Sequence, residues 1–553
     1  MKACKYQLVV SLMLSLCVYC SSFSQQEIVK TQGITGPLHR ANIGKIIFIA
    51  KPVTPIESLQ ESDFLNSFQL DQKANLSFRA FMGTSLTNYL HKLQPGLSPD
   101  ELTRQGSYQF TFLIDGRSVY QDNYQPAAIK PEVKNTETTF GLSLLDSADP
   151  EAGRVWKRFL LNGGDQALTP GKHLLKIELR PYLRTTENKV GDLIAAGELP
   201  LTVPPPASMD SGLTAVQPIA PNSGWEISKE PYSKDHIQEL NRKIAENFYR
   251  DIKSIVVIKN GQLLIEEYFN GATRDTLQNT RSVGKSFTSP LIGLAISDGY
   301  IKSEDQTLKD FYDLHKFANY SPKKERVTLK SLMTMSSGFD ANDDDPNSPG
   351  NEEKMYPTTD WVKFALDLPM DDKSDVGEKW RYFTAGMILL GDVLNKSVPG
   401  GLEKYAEKKL FQPLGISKYE WQFTPQNVPN TAGGIKMSAL DFAKFGQLYS
   451  NRGRWNGKQI LSPEWLDKSL SRQQKVPYGD NTYYGYLFWN TSLNVNGKTY
   501  EVDFATGNGG NKIFVFKDQP LVIIITATAF GKWYMHTQIN NMMERYILPA
   551  VIK

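Results

Sequence analysis

Two rhythms of apolar residues divide the chain. From residue 25 to about 203, apolar and polar positions alternate with period two in short runs, at 45–50, 108–114, 173–182 and 198–203. Successive side chains of a strand point to opposite faces, so these runs predict half-buried strands. Asp115-Gly116, between 108–114 and 117–121, supplies the residues that a tight hairpin turn demands. Several such strands predict a β-sandwich, with an immunoglobulin-like arrangement as one candidate. This part holds no nucleophile motif and no cluster of His and carboxylates, so the expectation is an accessory domain, with glycan or partner binding left open.

The rhythm changes after residue 225. Ile237, Leu240, Ile244 and Phe248 recur at helical spacing and predict an amphipathic helix. Segments 254–258 and 262–269 then flank Lys259-Asn260-Gly261, a hairpin with an Asn-Gly turn. Late in the chain a second strand pair, 512–516 and 521–526, precedes a helix from about Trp533. Strands at both ends and helices between them predict an α+β domain over 225–553 whose sheet is closed by both ends. Pro204-Pro205-Pro206 opens a stretch to Gly224 that also holds Pro218 and Pro221, with Asp210 as its single charge. That composition predicts an extended linker over 204–224.

Composition narrows the function classes. The chain has 553 residues, too many for one ordinary core, and 40% apolar with 22% charged residues describes a globular protein. Lys and Arg number 62 against 59 Asp and Glu, and a formal +3 leaves no basic excess for a dedicated nucleic-acid binder. The three cysteines, Cys4, Cys17 and Cys20, all stand in the first twenty residues. There Lys2 and Lys5 precede an apolar stretch, 8–19, and Ser22-Phe23-Ser24 forms a small-x-small site before Gln25. This reads as a signal peptide, 1–24, shorter than a membrane span. Its removal takes away every cysteine, which excludes disulfides, thiolate catalysis and Cys-ligated zinc, and predicts a periplasmic or secreted protein with no transmembrane segment. A rival reading makes Cys20 a lipid-anchor site; bulky Tyr19 before it departs from the Leu-Ala-Gly-Cys pattern, so the soluble exported form is favoured.

The most informative stretch is Thr280-Arg281-Ser282-Val283-Gly284-Lys285-Ser286-Phe287. Gly284-Lys285-Ser286 mimics a phosphate-binding loop, but Asn279 stands where that loop needs its first glycine. The other reading is Ser-x-x-Lys, which puts Lys285 one helical turn beyond a nucleophilic Ser282 on the same face. A second copy, Ser321-Pro322-Lys323-Lys324, is surrounded by charge and predicts a solvated turn. Val283, Phe287, Leu291 and Leu294 give the first copy a buried, rigid helix. By itself the motif leaves Ser282 balanced between nucleophile and helix cap. The chain has no Gly-x-Ser-x-Gly elbow and no His-Glu-x-x-His, and His236, His315 and His536 lack a motif, so no metal site is predicted. Asp340 to Asp345 is faintly like a calcium loop, but Asp345 replaces its glycine and Asn351 its closing glutamate; a solvated acidic loop is expected.

From about 250 to the end the chain resembles the serine hydrolases related to class C β-lactamases, including penicillin-binding-protein-like esterases and 6-aminohexanoate-dimer hydrolases. The resemblance rests on 280–289, on Val327 to Gly338 ("VTLKSLMTMSSG"), on Gly433 to Asp441 ("GGIKMSALD", where Ser438 and Asp441 also predict a helix cap), and on Gly453 to Leu461 ("GRWNGKQIL"). It implies a β-lactamase-like fold for the second domain and leaves the first untouched. The family's Tyr-x-Asn corresponds to Tyr382-Phe383-Thr384, one hundred residues after Ser282 and before Leu389-Leu390-Gly391. Tyr382 becomes a general base if nearby Lys285 lowers its pKa. The third motif corresponds to Ala505-Thr506-Gly507-Asn508. By resemblance the backbone amides of Ser282 and Asn508 form an oxyanion hole, and Thr384, Thr506 and Gly507 are candidates for substrate contact.

Thr384 replaces the Asn and Ala505 the cation that serve β-lactam-type substrates. The resemblance therefore implies an esterase acting on a small-molecule ester, with no cofactor, through a Ser282 acyl-enzyme served by Lys285 and Tyr382. Amidase or peptidase action on small or D-configured amides is the second reading, and a non-catalytic binding protein retaining the fold is the third.

Overall fold

A computed structural model describes residues 27–34, 36–71, 74–147, 153–185, 187–206, 210–479 and 481–552. The expected signal peptide, the three cysteines and the expected cleavage site at Ser24 lie outside the described residues. The chain divides into two compact units, Met1–Ala207 and Ser208–Lys553.

In the first unit, strands Ile46–Ile49, Leu76–Phe81 and Thr139–Leu145 form one antiparallel sheet. A second sheet runs in the order Phe68–Gln69, Ala195–Val203, Gly171–Leu183, Gly106–Ile114, Arg117–Asn123, with Lys189–Val190 paired beside it. The predicted hairpin turn forms: Asp115 and Gly116 both take positive φ, and Ile114 pairs with Arg117. Phe48, Phe78 and Leu144 of one sheet share a core with Phe110, Ile177 and Leu199 of the other, as a sandwich requires. The immunoglobulin-like arrangement does not hold. Its sheets follow a different strand order, and here helices Leu86–Leu93, Pro99–Gln105, Pro131–Thr136 and Arg154–Phe159 interrupt the strands. Phe112 stacks on Phe159 of the last of these at 4.8 Å, which brings that helix into the core.

The second unit is built on an eight-stranded antiparallel sheet. Its order is Gln262–Tyr268, Ile252–Lys259, Leu521–Ala527, Asn511–Phe516, Lys498–Gly507, Trp489–Val495, Tyr483–Tyr484, Gln474–Lys475. Ile252–Lys259 pairs with Leu521–Ala527, so the two ends of the unit meet in the sheet as expected. Helix Lys234–Ala245 buries Ile237, Leu240 and Ile244. Helix Ala439–Ser450, capped by Ser438 on the Asp441 amide at 3.1 Å, packs on the other strands, with Gly446 letting Val522 and Ile513 approach. Helices from Thr288–Ser297 to Thr384–Ser397 fill the middle. Among the described residues no helix is long and apolar enough to cross a membrane.

The linker expectation needs correction. From Gln217 onward the Pro-rich segment is fastened to this unit and covers the edge strand Gln262–Tyr268. Gln217 N donates to Glu267 at 2.8 Å, and Gln217 exchanges side-chain bonds with the backbone of Tyr268. Arg274 donates to the carbonyls of Ala220 and Pro221. Proline removes donors but leaves carbonyls free, so a Pro-rich stretch can still be held from outside by an arginine and a glutamine.

Candidate active site

Ser282 stands in a short 3-10 turn, Arg281–Phe287, that runs into helix Thr288–Ser297. Arg281, directly before it, has φ +53, a left-handed conformation that is costly for a residue with a side chain. Neighbouring backbone presses against this turn from two sides. A Cβ on Gly507 would lie 2.0 Å from Thr280 O and 3.1 Å from Ser282 N, and one on Gly433 would lie 2.5 Å from Arg281 O. Glycine is therefore demanded at both positions, which explains the Gly-rich motifs around them. Phe287 stacks on Phe445 at 3.9 Å, and Ser286 Oγ donates to Leu487 O at 2.6 Å, so the turn has little freedom.

Lys285 is 2% exposed. Its Nζ donates to Ser282 Oγ at 2.9 Å and to Ala432 O at 2.6 Å, and it lies 5.2 Å from the Tyr382 ring centroid. Burial holds the Lys285 ammonium below the usual lysine range, while the negative charges of Glu352 and Asp343 act the other way. A buried lysine whose pKa is lowered by desolvation and whose amine is bonded to a serine hydroxyl has the geometry of a proton-acceptor pair.

Tyr382 precedes helix Thr384–Ser397 and is half-buried among aromatic rings, stacking on Trp489 at 6.1 Å. The expectation that Lys285 would lower its pKa is overturned. Burial pushes the Tyr382 phenol well above its ordinary value, Asp343, Glu352 and Tyr478 add to the rise, and only the Ser282 side chain opposes it. The largest cause is desolvation, which penalises the charged phenolate.

The other predicted residues separate into two groups. Gly507 lies against the Ser282 amide, and Thr506 is half-buried beside it. Asn508 is exposed; its carbonyl accepts from Asn511 at 2.9 Å and its Oδ1 accepts from Gly531 N at 2.7 Å. Neither Ser282 N–H nor Asn508 N–H donates to an acceptor among the described residues. Thr384, by contrast, is fully buried at a helix start, where its amide donates to Asp343 Oδ2 at 2.7 Å. Its side chain is wholly covered by protein in this structure.

Two features escaped the sequence reading. Asp343 was grouped with a solvated acidic run; Asp344 and Asp345 are exposed, but Asp343 turns inward and burial, with Glu352 beside it, pushes its carboxyl up to about 6. The Ala432 carbonyl that holds Lys285 is backbone and carries no side-chain signature, although the glycines at 433–434 marked the place. The second Ser-x-x-Lys also departs from expectation, since Lys324 is buried. Among the described residues no group of three or more His, Cys, Asp or Glu could hold a metal ion.

The chain is similar to the octameric penicillin-binding protein homologue of Pyrococcus abyssi, at 22% identity over 56% of this chain and 76% of that one, with a TM-score of 0.44. It is similar to EstCE1, a hydrolase with promiscuous acyltransferase activity, at 14% identity over 56% and 98%, with a TM-score of 0.46. A D-stereospecific amidohydrolase from Streptomyces sp. gives 18% identity over 50% and 89%, with a TM-score of 0.40. No curated protein matches the chain. The Beta-lactamase family model matches residues 251–543, more than half of the sequence and the whole of the site just described. The chain belongs to the Beta-lactamase family of serine hydrolases.

Proposed function

We propose that the second unit, 225–553, hydrolyses small-molecule esters through an acyl-enzyme on Ser282. The observation that carries this reading is the buried Lys285 Nζ held 2.9 Å from Ser282 Oγ. Lys285 takes the hydroxyl proton as Oγ bonds to the substrate carbonyl carbon. The amides of Ser282 and Asn508 are the proposed donors to the resulting oxyanion. When the C–O bond to the leaving group breaks, the phenol of Tyr382 protonates the departing alkoxide and recovers its proton from Lys285. Water then attacks the acyl-enzyme by the same proton route in reverse, releasing the acid and restoring Ser282.

Esters are favoured over amides by the proton demand of the leaving group. An alkoxide can depart without prior protonation, whereas an amine must be protonated before it departs. The replacement of the family's Asn by Thr384 and of its cation by Ala505 supports a substrate other than a β-lactam. The basic start, apolar stretch and small-x-small site of residues 1–24 support export to the periplasm or beyond. The first unit, 25–203, is proposed as an accessory domain.

A fluorophosphonate probe together with a panel of p-nitrophenyl esters and amides tests this reading. Wild type is expected to be labelled and to cleave short esters faster than amides, and Ser282→Ala to do neither. Equal labelling of both proteins would remove Ser282 as the nucleophile, and a wild type inert to probe and panel would leave the binding-protein reading in its place.

A further inference from the structure

Residue 343 is joined to the segment that carries Tyr382 at two points. Its backbone N–H donates to Tyr382 O at 2.9 Å, and its Oδ2 accepts from Thr384 N at 2.7 Å. The second bond does the work of a helix cap. Helix Thr384–Ser397 begins after Phe383, which has no side-chain acceptor to offer its first amides. Asp343 supplies that acceptor from forty-one residues upstream. Its other oxygen, Oδ1, accepts from Glu352 N at 2.8 Å, and its carbonyl accepts from Asn351 Nδ2 at 3.0 Å. One side chain thus binds two segments that flank the site, and both of its oxygens are occupied by backbone amides.

The same carboxylate is felt electrically at the site. The groups facing it are Lys285, Glu352, Tyr382 and Tyr356; those facing Lys285 are Asp343 and Glu352. An anion beside Lys285 raises the amine's proton affinity against the effect of burial, and beside Tyr382 it disfavours phenolate.

Resting on the proposed function above, we propose that Asp343 is a positioning residue of this hydrolase: it clamps the Tyr382 segment at the helix start and sets a carboxylate near Lys285. It touches no reacting atom. The clamp holds the phenol where it can donate to the leaving group, and the charge keeps Lys285 basic enough to accept the serine proton despite its burial.

The test uses the full chain with Asp343→Asn and Asp343→Glu, thermal melting confirming the fold. Lysine 13Cε NMR, with the Lys285 signal assigned through Lys285→Arg, follows the amine's titration whether or not an ester is turned over. Asparagine can accept only one of the two amide bonds and carries no charge. Asp343→Asn is expected to lower the Lys285 midpoint, to move the acid limb of kcat/KM on a p-nitrophenyl ester to lower pH, and to reduce kcat about tenfold to a hundredfold with KM changed less than threefold. Asp343→Glu keeps the charge, so its midpoint stays near wild type while the displaced clamp lowers kcat. A folded Asp343→Asn with unchanged midpoint and kcat would overturn the proposal. If Asp343→Asn does not fold, Asp343→Glu with wild-type kcat overturns it. A wild type that turns over no ester sinks the functional reading instead, and the Lys285 midpoint still decides the role of Asp343.

Discussion

The two Ser-x-x-Lys segments of this chain have the same spacing and opposite uses. Lys285 and Lys324 are both buried, and burial lowers the pKa of both, Lys324 to about 8. Burial of the lysine therefore does not distinguish a reactive pair from an inert one. The difference lies in what each amine is bonded to. Lys285 Nζ gives one bond to a carbonyl and one to Ser282 Oγ. Lys324 Nζ gives bonds to two carbonyls, Ala318 O at 3.0 Å and Leu366 O at 2.7 Å, while Ser321 Oγ faces only the Lys324 amide at 3.4 Å. One lysine is bonded to a serine hydroxyl, as the proposed proton transfer needs; the other ties backbone segments together.

Exchanging each amine for a thioether of similar length separates the two uses most widely. Lys285→Met is expected to lower kcat/KM on a p-nitrophenyl ester by about 10²–10⁴-fold, the usual worth of a positioned proton acceptor, and to lose less stability than Lys324→Met because it abandons one carbonyl rather than two. Lys324→Met is expected to keep its activity and lose stability. Each abandoned carbonyl costs about 1–3 kcal/mol, offset in part because an amine need no longer be desolvated. Steady-state kinetics and thermal melts on both variants check the pair. Loss of activity in a stably folded Lys324→Met would erase the distinction.

The contrast also marks what the sequence could reveal. The meeting of Ser282 and Lys285 was legible because motif spacing and an apolar helix stripe are properties of local sequence, and that of Tyr382 with them followed from the family resemblance. Also legible were strands with one solvated face, such as Gly171–Leu183, whose residues alternate between buried and half-exposed over most of its length. Leu76–Phe81 was missed because all six of its residues are buried, and a strand covered on both faces has no alternation to read. Burial of Lys324 was not legible because its neighbours in sequence are charged while its partners lie elsewhere, Ala318 six residues earlier and Leu366 in helix Trp361–Asp367. Asp343 was hidden in a run of acids of which it alone turns to the site. The ionisation of Tyr382 was read with the wrong sign, since desolvation depends on what packs around a group and spacing says nothing of that.

A smaller effect sharpens the comparison through pH. An unfolded lysine titrates near 10.5 and Lys324 in the fold at about 8, so between these values the unfolded chain binds more protons. Stability contributed by this group must then rise with pH across that window and be lost as pH falls through it. Wild type should gain on the order of 1–2 kcal/mol relative to Lys324→Met between pH 7.5 and pH 10. Urea midpoints of both proteins at the two pH values measure it, and parallel midpoints would mean that Lys324 stays charged in its site.

The smallest effect belongs to the serines' counterpart. Ser321 accepts a single long bond from an amide in a turn and faces no amine, so Ser321→Ala should shift stability by less than about 0.5 kcal/mol and leave ester turnover within twofold of wild type. Ser282→Ala, at the same place in the same motif, is expected to leave only a small residual rate. A double variant settles whether the serines are independent: if Ser321→Ala changes the residual rate of Ser282→Ala by more than twofold, the second segment contributes to chemistry after all. Equality of the two residual rates, measured with the same ester and enzyme concentration, is the outcome that the hydrogen-bond partners of the two lysines require.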